Sequence, residues 1–157
     1  MLSTPEIIDT PAVRTAVIRL AIPRSEIMPA MRAAIEELRR TLAGQSVAIS
    51  GPMFSHHFRI LPAEFDFEVG FPVAAEVRPQ GRVLPVEMQA KKAVRATYTG
   101  SYEGLANAWW EFARQGREHT ALHLQPAPDM WEEYFTGPES GLDPAHWRTN
   151  LYQPLLP

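Results

Sequence analysis

The sequence contains no cysteine, which excludes disulfides, thiolate metal sites and a cysteine nucleophile together and suits a reducing compartment. It also lacks any stretch approaching the roughly 18 to 20 uninterrupted apolar residues that a membrane-spanning helix requires. Residues Met1 to Thr10 include Glu6 and Asp9 and have neither a basic stretch nor an apolar one, so no signal peptide is expected and the cytoplasm is the expected location. Basic excess is missing too: the formal charge is −3 with Lys and Arg scattered, so the electrostatic footprint for a nucleic-acid backbone is absent. The densest basic group, Arg32, Arg39 and Arg40, is interleaved with Glu36 and Glu37, the pattern of a solvated helix face. No G-x-S-x-G, P-loop or dinucleotide fingerprint occurs, so serine-hydrolase, nucleotide and nicotinamide chemistry have no local support and no cofactor is expected.

What remains is an ordinary globular composition, 45% hydrophobic and 21% charged over 157 residues, which suits one domain spanning 1–157 with a substantial core. Val13 to Leu20 is rich in β-branched residues between Pro11 and Pro23 and reads as a strand. A helix should follow, with Ser25 as N-cap, an apolar stripe of Ile27, Met31, Ala34, Ile35, Leu38 and Leu42, and Gly44 as its stop. The order recurs later. Ala93 to Thr99 reads as a strand, Gly100 as a break, and Ser101 as the cap of a helix running to about Gln115, with Leu105, Ala108, Trp109 and Phe112 on its apolar face. A shift of 78 residues lays Ala16 on Val94, Ile27 on Leu105 and Met31 on Trp109, which suggests a duplicated unit with halves at about 13–80 and 91–155.

Further strands are expected at Met53 to Ile60, Glu64 to Phe71, Met130 to Thr136 and Arg148 to Gln153, with Val83 to Gln89 bridging the halves. Phe65, Phe67, Val69 and Phe71 alternate with Asp66, Glu68 and Gly70, the signature of a strand with one buried face. This mixture of helices and antiparallel strands predicts an α+β fold with the helices on one face of a sheet.

Chemistry concentrates in Met130 to Phe135. Strand alternation puts Glu132 with Met130 and Tyr134, and Glu133 with Trp131 and Phe135, so two carboxylates point to opposite faces. One should reach solvent; the other must lie among apolar or aromatic groups, where a charge is costly without a partner or ligand. A carboxylate ringed by Trp and Tyr attracts organic cations, at about 0.5 to 2 kcal/mol per ring, and with a raised pKa it also suits a general acid or base. Trp109 reads as core, whereas Trp110, rotated about 100° from it on the helix, is a cleft wall or a surface residue. Tyr98 and Tyr134 can serve packing or ligand contact. Of the five histidines, His56 and His57 are neighbours on a strand and face opposite ways, and His119-x3-His123 has no acidic companion, so no metal site is expected.

Three stretches carry a family likeness: YTGSYEGLANAWWEF (Tyr98 to Phe112), FDFEVGFPV (Phe65 to Val73) and WEEYFTGPESGLDPAHWRTNLYQPL (Trp131 to Leu155). The chain resembles the GyrI-like small-molecule-binding domain, also the effector-binding half of multidrug-sensing transcription regulators, from about Val13 to Leu155. The resemblance implies duplicated βαββ units with pseudo-twofold symmetry and a ligand cleft where the halves meet. Glu132 falls at the family's ligand-reading carboxylate, with Tyr134 two residues on, and Tyr102 matches the tyrosine of its G-x-Y motif. Tyr98, Trp110, Phe54, His57 and Asn150 complete the expected ligand contacts, although His57 stands where a tyrosine is common and Asn150 where many relatives carry a glutamate. The missing glutamate weakens any strict preference for cations.

The regulators carry a helix-turn-helix domain before this module, and only a dozen residues precede Val13 here, so a stand-alone member without its own DNA-binding part is expected. The expected function is binding of small lipophilic or aromatic, possibly cationic, drug-like molecules, for sequestration or sensing. The alternative that the resemblance implies is a hydrolase of toxic electrophiles such as cyclopropane-bearing alkylators, with Glu132 and Tyr102 as catalytic residues. A protein partner such as a topoisomerase is a third reading, and the sequence offers little for it.

Overall fold

The computed structural model describes residues 1–119 and 127–157. In chain order the elements are β1 (Glu6–Thr10), β2 (Val13–Pro23), α1 (Ile27–Gly44), β3 (Met53–Ile60), β4 (Glu64–Pro72), β5 (Leu84–Met88), β6 (Lys91–Thr99), α2 (Leu105–His119), β7 (Met130–Thr136) and β8 (Arg148–Pro154). Single 3-10 turns lie at Arg24–Glu26, Tyr102–Gly104, Pro138–Ser140 and Pro144–His146. The protein is α+β, as its sequence predicts, and it divides into two compact units: residues 11–90, the first unit, and residues 1–10 with 91–157, the second.

In the first unit the sheet runs β3-β4-β2-β5, all antiparallel. Ala16, Ile18 and Leu20 of β2 and Phe67, Val69 and Phe71 of β4 share one face, because alternate residues of a strand point the same way. Against them α1 lays Ala34, Leu38 and Leu42, the stripe that its 3.6-residue period predicts. The polar face of β4 is buried as well, which alternation alone does not suggest. Asp66 and Glu68 are both buried there. Arg19 and Arg59 bond the Asp66 carboxylate at 3.1 and 3.2 Å and hold its pKa down against the opposing effect of burial, while His56 lies 3.6 Å from Glu68. Paired with two guanidinium groups, the Asp66 carboxylate can leave water.

The second unit has the order β1-β6-β8-β7, again antiparallel. Val94, Ala96 and Tyr98 of β6 and Leu151 of β8 pack with Ala108 and Phe112 of α2. Strand for strand the two sheets share one plan: β6 takes the place of β2, β8 of β4, β7 of β3, and β1 of β5. The segment Val83 to Gln89 therefore supplies the edge strand of the first unit, paired with β2.

Several local details depart from the sequence reading. Neither Ser25 nor Ser101 caps a helix with its side chain; each lies in or just before a 3-10 turn that leads into the helix proper. Gly44 is the last residue of α1, and Ser46, with φ of 57°, takes the left-handed position beyond it. Helix α2 runs through Gly116 to His119, because Arg114 bridges Glu111 and Glu118 on its exposed side and a glycine in a helix costs only about 1 kcal/mol.

Candidate functional site

The centre of β7 puts Glu132 on the α2 side of its sheet, as strand alternation predicts for one of the two carboxylates. It is 9% exposed. Trp109 of α2 donates its indole N–H to Oε1 at 2.7 Å, and Tyr134, two residues along the strand, donates its hydroxyl to Oε2 at 2.6 Å. Both donors are neutral, and among the described residues Glu132 has no ion pair. Burial pushes its pKa up and the two hydrogen bonds pull it back, with the net direction upward.

Aromatic rings continue from this carboxylate. Tyr134 meets Tyr102 edge to face at 5.7 Å, and Tyr102 leans on Trp147 at 4.9 Å. On the other side Trp109 packs edge to face on Phe112 at 5.4 Å. Tyr102 is placed by the 3-10 turn before α2. Trp147 is placed at the end of the loop between β7 and β8, where its carbonyl accepts the Gly100 N–H at 2.9 Å and its indole donates to the Leu142 carbonyl at 3.2 Å. Among the described residues the Tyr102 hydroxyl makes no hydrogen bond; burial first, then the Glu139 and Glu132 charges, push its pKa up to about 12.

Thus the structure brings Glu132, Tyr134 and Tyr102 together, with Trp109, which the sequence reading left to packing, and Trp147, to which it gave no role. Trp109 was legible as a core position on α2, but its indole bond to a strand 23 residues later was not. Thr149, also absent from the sequence-based set, lies in register between Tyr98 and Tyr134, and its buried hydroxyl has no partner among the described residues.

Other expected residues fall elsewhere. Tyr98 is core: its hydroxyl donates to the Ser101 carbonyl at 2.8 Å, and its ring occupies the space over Gly100 and Gly104 that a Cβ on either would need. Trp110 is 75% exposed on the outer side of α2. Asn150 lies on the opposite face of β8, where it donates to Glu133 at 3.1 Å and accepts from Thr97 at 2.7 Å. Glu133 also accepts from Tyr152 at 2.9 Å, so the second carboxylate of the segment belongs to a polar network rather than to bulk water.

Phe54 and His57 belong to the first unit. Phe54 is buried beside Gly70. His57 stacks on Phe67 at 4.8 Å, and burial, helped by His56 and Arg24, lowers its pKa to about 4. It is a neutral ring at pH 7.

Among the described residues no group of three or more acidic or histidine side chains is placed to share a metal ion, and the His119-x3-His123 spacing extends outside them. No helix among them is long and apolar enough to cross a membrane.

Fold and site together define a class: α+β proteins whose helix–sheet unit buries a carboxylate among aromatic side chains. Residues 3–156 match the GyrI-like small molecule binding domain, and the chain belongs to that family. No curated protein matches the sequence. Among solved structures it is similar to the EcmrR C-terminal domain, at TM-score 0.84 and 16% identity over 97% of this chain and 96% of that one. It spans 57% of the EcmrR chain in a complex with DNA. A hydrolase encoded by lin2189 from Listeria innocua has TM-score 0.68 and 11% identity over 98% of this chain and 92% of that one. SAV2435 bound to tetraphenylphosphonium has TM-score 0.64 and 8% identity over 97% and 93%.

Proposed function

We propose that the protein binds small, lipophilic aromatic cations at Glu132, for sequestration or sensing. The observation that carries this reading is a buried carboxylate held by two neutral donors, with no cationic side chain beside it among the described residues. Trp109 and Tyr134 stabilise the ionised form without neutralising it, and a ligand cation supplies the missing charge. The rings of Tyr134, Tyr102 and Trp147 suit the apolar aromatic groups of such a ligand. The likeness to a structure that holds tetraphenylphosphonium supports the same reading.

Titration of tetraphenylphosphonium against the protein and against Glu132→Gln tests it. The variant should bind at least about tenfold more weakly. The wild-type affinity should also fall on acidification, as protonation removes the carboxylate, while that of the variant stays flat. Equal affinity in both proteins would sink the reading.

Hydrolysis is the second reading, favoured by one observation: the Tyr102 hydroxyl, free of hydrogen bonds among the described residues, shares the site with Glu132. Glu132 would take a proton from water as the water oxygen bonds to a strained ring carbon, and Tyr102 would protonate the carbon released when the ring bond breaks. Mass spectrometry of a cyclopropane-bearing alkylator after incubation should then show addition of one water, and none above buffer discards this reading for that substrate.

A further inference from the structure

The loop between β7 and β8 brings a second carboxylate toward the aromatic group. Glu139 sits in the single turn Pro138–Ser140, which begins just after the buried Gly137. A Cβ placed on Gly137 would collide with the Tyr102 hydroxyl and would lie 3.1 Å from Oε2 of Glu139. Phenol and carboxylate therefore flank the same bare α-carbon, and the Glu139 charge ranks directly after burial among the causes that raise the Tyr102 pKa. Tyr102 in turn meets Tyr134, whose hydroxyl holds Glu132. Glu139 is exposed, and among the described residues it has no ion pair.

We propose that Glu139 is a specificity residue that makes this site prefer elongated aromatic dications over monocations of the same core. This rests on the reading that Glu132 holds a cation. Glu132 lies buried beside Tyr134 and Glu139 is exposed beside Tyr102, so an elongated aryl ligand laid along Tyr134 and Tyr102 can present a charged group to each. The second contact is a charge-assisted hydrogen bond that a monocation lacks. Asn150 faces Glu133 on the reverse side of the sheet and has no part in this.

Calorimetric titration of a bis-amidine, pentamidine, and of a monoamidine with the same aryl ether tests the assignment, using wild type, Glu139→Gln and Glu132→Gln. Wild type should prefer the bis-amidine by about tenfold. Glu139→Gln should weaken the bis-amidine by about that factor and the monoamidine by no more than about twofold, whereas Glu132→Gln should weaken both. If Glu139→Gln retains the preference, or weakens the two ligands equally, the assignment is overturned while cation binding at Glu132 stands. If neither ligand binds wild type, or Glu132→Gln binds both unchanged, the reading of Glu132 fails and the role of Glu139 fails with it. Glu139 is exposed, so an unchanged melting temperature excludes misfolding as the cause.

Discussion

A single carboxylate carries most of the weight of the proposed function, and its burial works against the fold. Because the folded pKa of Glu132 is raised above the ordinary 4.5, the unfolded chain ionises it more easily than the native protein does. The resulting cost is fully present above the folded pKa, begins to disappear as pH falls through that value, and is gone below the ordinary one. Glu132→Gln keeps an oxygen for the Trp109 indole, lets Tyr134 turn its hydroxyl to accept, and removes the charge. Its melting temperature should therefore exceed that of wild type at pH 8, by about 2 to 4 °C per kcal/mol relieved, and the difference should close as pH approaches 4.5. A variant that is less stable at pH 8 would mean that the carboxylate is better solvated than its position implies. The same residue was legible in sequence as one of an opposed pair. Which of the two acids lay toward the helix was not, since period-two alternation separates faces without saying which one a helix covers.

Among the elements, the start of α2 shows how closely backbone and site are joined. Gly100, with φ of 152°, and Gly104 leave room for the Tyr98 ring, and the turn between them carries Tyr102 into the site. A Cβ at Gly104 would overlap the Tyr98 hydroxyl, so Gly104→Ala should cost about 1 to 3 kcal/mol. In a Tyr98→Phe background the nearest ring carbon is 3.1 Å away, and the same change should cost less than half as much. Urea unfolding of the four proteins measures that coupling, and additive costs would remove the argument. Strand and helix positions followed from periodicity, while helix starts did not. Ser25 and Ser101 are of the capping type, yet each chain segment enters its helix through a 3-10 turn set by neighbouring packing.

At the scale of the molecule, the chain crosses between units twice through short links. β1 is the edge strand of the second unit and leads into β2, an inner strand of the first, with Pro11 and Ala12 between them; β5, the edge strand of the first, leads into β6 of the second with Gln89 and Ala90 between. β1 is held by backbone pairing to β6 and by the Lys92–Asp9 pair at 2.9 Å and the Arg95–Glu6 pair. Deleting residues 1–10 should bare the β6 edge, lower the melting temperature by roughly 5 °C or more, and promote self-association that rises with concentration in light scattering. A truncated protein that stays monomeric and equally stable would show β1 to be dispensable. Five residues, two of them acidic, gave little sign in sequence of being a strand, because their partners lie more than eighty positions away.

Local patterns, then, determined the α+β class and most strand and helix positions, and singled out the segment Met130 to Phe135 as the candidate for chemistry, because hydrophobic periodicity records which side of each element meets a core. Tertiary structure alone decided that Trp109 and Tyr134 grip Glu132, that Tyr98 is packing, that Trp110 faces solvent, and that Asn150 serves Glu133. Hydrogen bonds between elements depend on where separate segments meet, and period and composition within one segment carry no record of that meeting.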